Sequence, residues 1–395
     1  MSASSCRLSR PGVVCSLGDD LDTIGRALFS GQRGLTTSDT YTPGRPLALG
    51  QVACELPDDS HWPKDHRSRN NRLLALALAR LGDELEALLS TVPGDRIGVV
   101  VGSSTSGIGE TELALAKSGR EGPLPEDFAY ARQELGAPAR FLAERLGITG
   151  PCYTLSTACS SSARALASAR RLLKSGQCDA VIAGGADSLC RLTVNGFLSL
   201  EAVSDNPCQP FSRHRDGINL GEAAALFVVT PESGGVQLAG VGESVDAHHI
   251  SAPRPDGSGA AEAMRQALAM AGLDASEIDY LNLHGTGTAL NDSMEAAAVT
   301  TLFPSPPACS STKGLTGHTL GAAGALEAAF CWLALTQGRL PEHRFDGTYD
   351  PELPPLPLVT TGVAPEHRLR RALSNSFAFG GNNASLLLTL DHPTE

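Results

Sequence analysis

The chain has 395 residues, of which 42% are hydrophobic, 19% charged and 5% aromatic, and its formal net charge at pH 7 is -12. This length and composition are typical of a globular enzyme with a large core, and the acidic charge argues against nucleic acid as a partner. The ten cysteines are scattered without a Cys-x-x-Cys pair, which argues against a metal site and a disulfide framework. The N-terminal residues show no long apolar core behind a basic start, and we expect no apolar stretch of transmembrane length. We therefore expect a cytoplasmic protein without membrane insertion.

Short β-branched runs alternate with Ala- and Leu-rich helical segments along the chain. In chain order, the pattern predicts strand 95–102, strand 152–155, helix 163–174, strand 179–185, strand 223–230, helix 259–271, strand 278–283, helix 320–337 and strand 382–390. The alternation predicts α/β layers with largely buried sheets. A structural duplication with a boundary near 231–235 is a further hypothesis, and the proline-rich stretches 304–307 and 351–357 are predicted to be loops.

Cys159 lies among small residues in segment 156–162, directly before the predicted helix. Helix N-termini favour the thiolate and lower the thiol pKa, and their free N–H groups can hold an oxyanion. A single cysteine in such a segment is equally well interpreted as a buried structural residue. Two histidine segments further along the chain favour the catalytic interpretation.

His284 follows a predicted strand and precedes the Gly-Thr-Gly-Thr segment 285–288, a position where α/β sheets present catalytic groups. Asp292 and Glu295 follow, and are candidates to orient this loop or to cap the next helix. Lys313 and His318 lie five residues apart before the predicted helix 320–337. A nearby lysine keeps an imidazole neutral by like-charge repulsion.

Each histidine taken alone would be interpreted as structural, but together with Cys159 the two form a chemically coherent set. A thiol can carry an acyl group, and two neutral imidazoles can donate hydrogen bonds to a carbonyl oxygen as it becomes an enolate. These groups suit carbon–carbon bond formation through a thioester better than they suit hydrolysis.

The chain resembles the β-ketoacyl-acyl carrier protein synthases of the decarboxylating Cys-His-His type, from about residue 12 to residue 390. The matching motifs are 156–161, 210–211, 215–217, 221–223, 284–288 with Asp292 and Glu295, 311–324, Glu327 and 375–381. The resemblance implies an α/β, thiolase-like fold of two similar α/β halves in a five-layered αβαβα arrangement. The N-terminal half, 1–232, would hold the nucleophile, and the C-terminal half, 233–395, the two histidines.

The resemblance also implies the role of each site residue. Cys159 would take the acyl chain, His284 and His318 would assist malonyl decarboxylation, and Lys313 and Glu327 would support them. The backbone N–H groups of Cys159 and Phe379 would form the oxyanion hole, Phe379 would act as the gate, and Thr286, Thr288 and Phe377 would contact substrate. No cofactor is implied, because the substrate arrives on the phosphopantetheine arm of an acyl carrier protein. Ala378 replaces the family's usual glycine between the gate phenylalanines, which we expect to stiffen the gate.

Segments 188–190 and 247–253, together with the short length, also resemble the ketosynthases of bacterial aryl polyene clusters. This implies a polyene or aryl-primed acyl chain, and a dimer formed either of two copies or with an inactive chain-length factor. Because carrier proteins are acidic, the basic residues Lys64, Arg67, Arg69 and Arg72 are predicted to contact one, with Arg213 and Arg215 as lesser candidates. The alternative for this cluster is a solvated helix start.

Four other functions are alternatives to an active condensing enzyme. A non-catalytic or weakly active chain-length-determining partner would lack the cysteine that Cys159 supplies. A thiolase would carry a second catalytic cysteine, and an initiating synthase would carry asparagine in place of His318. An acyl hydrolase would need an acidic residue placed to activate water.

Overall fold

The computed structural model describes residues 5–119 and 122–391. Its helices are α1 Leu21–Phe29, α2 Arg69–Ala79, α3 Asp83–Thr91, α4 Ile108–Ser118, α5 Ala137–Leu146, α6 Ser161–Lys174, α7 Arg191–Ser199, α8 Ser258–Ala271, α9 Ala289–Leu302, α10 Lys313–Thr316 and α11 Ala323–Gln337. Its strands are β1 Arg7–Leu8, β2 Gly12–Cys15, β3 Thr36–Ser38, β4 Leu47–Leu49, β5 Ile97–Gly102, β6 Cys152–Leu155, β7 Ala180–Asp187, β8 Ala223–Thr230, β9 Gly235–Val245, β10 Tyr280–Asn282, β11 Ala308–Ser310, β12 Arg371–Ala378 and β13 Asn382–Asp391.

Two groups of five strands share one topology. The first follows the order β6-β5-β7-β8-β2 and the second the order β11-β10-β12-β13-β9. In the first group, β5 lies between parallel neighbours, and β8 is antiparallel to both β7 and β2. In the second, β10 and β13 have the same relations to their neighbours. The short β1 pairs with β8 and with β9 and joins the groups into one 11-stranded sheet.

Helices cover both faces of each strand group, which gives five layers. In the middle layer, α6 and α11 share a buried core with alternate residues of both strand groups, such as Phe227 and Leu388. The opposite face of the first group packs against α2 and α5, and that of the second group against α8 and α9. The predicted αβαβα arrangement of two similar halves is therefore confirmed.

Helix α11 lies in the middle layer between the two strand groups, and almost all of its residues are buried and apolar. The segment Leu320–Gln337 is long and apolar enough to cross a membrane by length and composition, but 83% of it is buried inside the fold. The expectation that no segment reaches this length is therefore wrong, although the apolar surface is used by the protein core. This segment begins as a short 3-10 turn at Leu320–Ala322 and becomes α-helical at Ala323.

The predicted elements are present, with small differences at their ends. The predicted strand 278–283 is shorter in the structure, and the predicted helix 163–174 begins two residues earlier, at Ser161. Strand β8 ends at Thr230 and β9 begins at Gly235, on either side of the hypothesised boundary. The proline-rich stretches 304–307 and 351–357 contain neither helix nor strand.

Candidate active site

Cys159 occupies a tight turn between β6 and α6. Ala158 has a left-handed backbone with φ 50°, and Cys159 lies between this residue and Ser160, the N-cap of α6. The turn is held by its own polar groups, because Ser161 Oγ accepts from Thr157 N at 2.9 Å and donates to Ala158 O at 2.5 Å. The expected position of Cys159 at a helix N-terminus is confirmed.

The loop after β10 places His284 in the same region. Its backbone N–H donates to Glu295 Oε1 and the N–H of Gly285 donates to Glu295 Oε2, each at 2.7 Å. Asp292 accepts a hydrogen bond from the N–H of Gly287 at 3.2 Å. Both carboxylates on α9 thus orient the histidine loop, which is one of the two roles considered for them.

Lys313, at the start of α10, connects His284 to Glu327 on α11. Its Nζ donates to the carbonyl oxygen of His284 at 2.6 Å, lies 3.3 Å from His284 Nδ1 and forms a buried ion pair with Glu327. All three residues are at most 2% exposed. Because an ammonium group is only a donor, Nδ1 of His284 accepts and the imidazole proton resides on Nε2.

His318 follows α10 and faces the thiol. Its Nε2 lies 2.9 Å from Cys159 Sγ, and its ring meets the His284 ring edge to face with centroids 5.3 Å apart. The backbone N–H of His318 donates to Asn219 O at 2.6 Å, which ties the loop to the first half of the chain. The structure therefore brings the three predicted residues of the triad together.

The close approach of α6 and α11 depends on Gly324. A Cβ at this position would lie 2.6 Å from the backbone nitrogen of Ala163. Since α6 follows Cys159 and α11 carries Glu327, this contact sets the separation of the two sides of the site.

Burial dominates the titration of the triad. It raises the pKa of the Cys159 thiol to about 12, although Lys313 acts in the opposite direction. The lowered thiol pKa expected from the helix N-terminus is therefore not found, because loss of hydration outweighs it. Burial and, secondly, the charge of Lys313 hold the pKa values of His284 and His318 well below the usual range, so both imidazoles are neutral, as expected.

A cavity of about 400 Å³ opens at the triad. Its lining includes all three triad side chains, and Thr286 and Thr288, whose hydroxyls are 2.9 Å apart. Ser251, Ala252 and Pro253 line another side of the cavity. They belong to segment 247–253, which resembles the ketosynthases of aryl polyene clusters. The cavity is large enough for a thioester arm and reaches the reacting atoms.

Phe377 and Phe379 lie at different depths of this cavity. Phe377 is buried and its ring meets His284 edge to face with centroids 6.0 Å apart, whereas Phe379 is 37% exposed and stacks on Phe197 at 5.5 Å. Ala378 between them has φ -115°, an extended conformation that alanine adopts without strain. Cys159 and Phe379, the residues predicted to supply the oxyanion hole, line the same cavity.

Asp187, at the end of β7, is a site residue that was not predicted from the sequence. Its Oδ1 accepts from the backbone N–H groups of Ser104 and Thr105, each at 2.9 Å, and its Oδ2 from that of Gly321 at 2.6 Å. Gly321 lies three residues after His318, so this buried carboxylate holds the histidine loop against the first half. An aspartate ending a continuous apolar strand was the available signal.

All four basic residues predicted to contact a carrier protein form hydrogen bonds within the protein. Arg69 pairs with the buried carboxylate of Glu222, while Arg72 donates to two backbone carbonyls and Arg67 to one. Lys64 is exposed, and its ammonium donates to Glu126 O at 2.9 Å. The guanidinium of Arg69 neutralises this internal carboxylate while the side chain remains 34% exposed, so its contact with a carrier protein stays a prediction.

Comparisons with known proteins agree with this geometry. The family "Beta-ketoacyl synthase, N-terminal domain" matches residues 12–234, and "Beta-ketoacyl synthase, C-terminal domain" matches residues 236–344. Nodulation protein E from Rhizobium meliloti is 35% identical over 393 residues, covering 95% of this chain and 96% of the relative. The mitochondrial 3-oxoacyl-[acyl-carrier-protein] synthase of Arabidopsis thaliana is 39% identical, covering 95% and 91%.

A solved structure of a ketosynthase, ApeO, in complex with its chain length factor ApeC from Xenorhabdus doucetiae is also similar. It superposes with a TM-score of 0.93 and 45% identity, and the match covers 98% of each chain. The ishigamide ketosynthase/chain length factor has a TM-score of 0.88 at 28% identity, covering 98% of this chain and 100% of the other. This chain belongs to the β-ketoacyl synthase family and is an acyltransferase of the 3-oxoacyl-acyl carrier protein synthase class.

Proposed function

We propose that Cys159 carries the growing acyl chain and that His284 and His318 activate malonyl-acyl carrier protein for condensation with it. The observation that carries this assignment is the 2.9 Å separation of Cys159 Sγ and His318 Nε2, with the His284 ring 5.3 Å from that of His318. The non-catalytic chain-length partner is the weaker alternative, since nucleophile and both imidazoles meet in one cavity.

In the loading step, Cys159 exchanges with the thiol of the carrier protein. Sγ attacks the thioester carbonyl, and His318 Nε2 takes the thiol proton and passes it to the departing phosphopantetheine thiolate. Because burial raises the thiol pKa, this proton transfer is part of the step rather than complete beforehand. The N–H groups of Cys159 and Phe379 are assigned to the oxyanion formed here.

In the condensation step, malonyl-carrier protein loses CO₂ and its thioester becomes an enolate. The Nε2–H of His284, held in place through Lys313 at Nδ1, donates to the enolate oxygen. His318 donates to it from Nε2, for which its single N–H proton moves from Nδ1, where it lies during loading, to Nε2. The enolate carbon attacks the acyl-Cys159 carbonyl. Collapse of the tetrahedral intermediate releases 3-oxoacyl-carrier protein, and the Cys159 thiolate takes up one proton.

The substrate is assigned to the polyene or aryl-primed acyl chains of aryl polyene biosynthesis. Segment 247–253, one basis of this assignment, contributes Ser251, Ala252 and Pro253 to the cavity wall. Thr286, Thr288 and Phe377 line the same cavity and are assigned to the arm and the acyl chain. No bound cofactor is required, since the phosphopantetheine arrives with the carrier protein, and the cytoplasm is the assigned location.

A related chain-length factor is the assigned partner subunit. The support is the 45% identity and the 98% coverage shared with ApeO, a ketosynthase solved in complex with such a factor. Strand β6 lies at one end of the sheet in the described part of the chain and offers an edge for pairing. The two halves of this chain are assigned to 1–232 and 233–395, and a carrier-protein contact to Lys64 with Arg67 beside it.

The test is intact-protein mass spectrometry of the purified chain, alone and co-expressed with a candidate chain-length factor. Acyl-carrier thioesters, aliphatic and aryl-polyenoic, are supplied first and malonyl-carrier protein second. We expect an acyl adduct on the wild type and on Cys54→Ser, a cysteine outside the cavity, but not on Cys159→Ala. Malonyl-carrier protein should discharge the adduct as a chain two carbons longer. No adduct on the folded complex from any donor would refute the assignment.

A further inference from the structure

Cys159, His284 and His318 are also a set of metal ligands. One ligand atom from each residue lies within 4.8 Å of the others, and all three side chains are buried. One thiolate and two imidazoles, with a fourth position open to a cavity, are a ligand set that zinc accepts in proteins. Condensation needs the same groups free, because a zinc-bound thiolate does not take an acyl group and a zinc-bound nitrogen does not donate a hydrogen bond.

Lys313 determines which nitrogen of His284 carries the proton. Its Nζ lies 3.3 Å from Nδ1, 2.6 Å from the His284 carbonyl oxygen and against the Glu327 carboxylate, so its three N–H bonds have three acceptors. The ammonium group has no lone pair, so Nδ1 must accept and the proton resides on Nε2. Nε2, the nitrogen turned away from Lys313, is thereby a donor with no lone pair for a metal.

We propose that Lys313 keeps the Cys159–His284–His318 cluster from binding zinc. Zinc binding through His284 Nε2 would release the thiol proton of Cys159 to solvent and move the imidazole proton from Nε2 to Nδ1. That proton would then point at the Lys313 ammonium. Glu327 stabilises the ammonium in this place, which makes Lys313 and Glu327 positioning residues that keep a strong ligand set free for chemistry.

The test compares zinc affinity between variants that differ in the ammonium group. Lys313→Met/Glu327→Gln removes both charges together, so that no lone buried charge remains, whereas Lys313→Arg alone retains a cation without a lone pair next to Glu327. We expect the double variant to bind one zinc ion per chain about 10- to 100-fold more tightly than the wild type, the range typical of changed outer-shell partners. The single variant should show a much smaller gain, and adding Cys159→Ser to the double variant should abolish the gain.

Zinc affinity is measured by competition with a chromophoric chelator, folding by circular dichroism, and ligation by the thiolate-to-cobalt charge-transfer band after Co²⁺ addition. Stoichiometric, Cys159-dependent binding by the wild type as tight as by the double variant would overturn the proposal. A folded double variant without a gain would do the same. These readouts need no turnover, so they are independent of the proposed function.

A second measurement uses the wild type itself and covers the case in which the double variant does not fold. Nitrogen-15 spectra of histidine-labelled protein distinguish protonated from unprotonated ring nitrogens, and His284→Ala assigns the signal. We expect a proton on Nε2 and a free Nδ1 for His284 at neutral pH. The opposite tautomer would contradict the proposal directly.

Discussion

Replacing Asp187 with asparagine tests whether a buried carboxylate outside the cavity positions His318. Backbone N–H groups donate to both carboxylate oxygens, at 2.9 Å to Oδ1 from Ser104 and at 2.6 Å to Oδ2 from Gly321. In Asp187→Asn, one oxygen becomes an NH₂ group that faces a donor. The change removes a hydrogen bond to the carboxylate and leaves the buried N–H group of its former donor without a partner, at a combined cost of about 2.5–6 kcal/mol.

Asp187→Asn should lower both the stability of the fold and the rate of the reaction. We expect a lower denaturation midpoint, and slower decarboxylation of malonyl-carrier protein because the loop between His318 and Gly321 loses its anchor. The matched control is Asp179→Asn, whose side chain is 55% exposed and pairs with Arg96 at the surface. Because solvent screens this pair, the control should lower stability much less than Asp187→Asn. If Asp187→Asn were as stable and as active as the control, the anchoring role would be refuted.

Three further predictions concern charge, packing and docking. The pKa values of His284 and His318 are lowered, so both imidazoles stay neutral until the pH is below the usual range for histidine. The rate of decarboxylation should therefore persist as pH falls from about 8 to about 6. A pH–rate profile with an apparent pKa near the usual histidine value would contradict this. Gly324→Ala should destabilise the fold by about 1–3 kcal/mol, measured by denaturation, and slow acyl loading, measured by mass spectrometry. The control Gly196→Ala places its methyl group in open space and should have neither effect. Lys64→Glu should raise KM for carrier-bound substrates several-fold with little change in kcat, more at low salt than at high salt, and an unchanged KM would remove this residue from the docking surface.

The sequence predicted the fold class and the triad because both depend on local patterns. The apolar runs of β5, β7 and β8 are continuous since each of these strands is buried on both faces, and such runs are visible without a structure. Cys159 and His284 each follow a short strand in a segment of small residues, and this local context was enough to single them out.

The parts that the sequence did not predict depend on contacts between distant segments. Asp187 meets Gly321 across 134 positions, and Arg69 meets Glu222 across 153, so no local pattern connects either pair. Arg69 was grouped with its basic neighbours along the chain, but its guanidinium turns towards a buried carboxylate. The thiol pKa was expected to fall at the helix N-terminus, and the extent of burial that raises it follows only from the packed cavity.

The repeated topology accounts for the site itself. Strands β6 and β11 are equivalent, since each is the third strand of its group in chain order. Reactive residues follow both: Cys159 comes after β6, and Lys313 and His318 come after β11. The second strand of the second group, β10, leads to His284, while the equivalent strand β5 leads to the serines that bind Asp187. Because the carboxyl ends of equivalent strands meet between the halves, one half supplies the nucleophile and an anchoring network where the other supplies the imidazoles. A catalytic site assembled in this way requires the two halves to be held in register, which is the role that Asp187 performs through Gly321 and Gly324 through its close approach to Ala163.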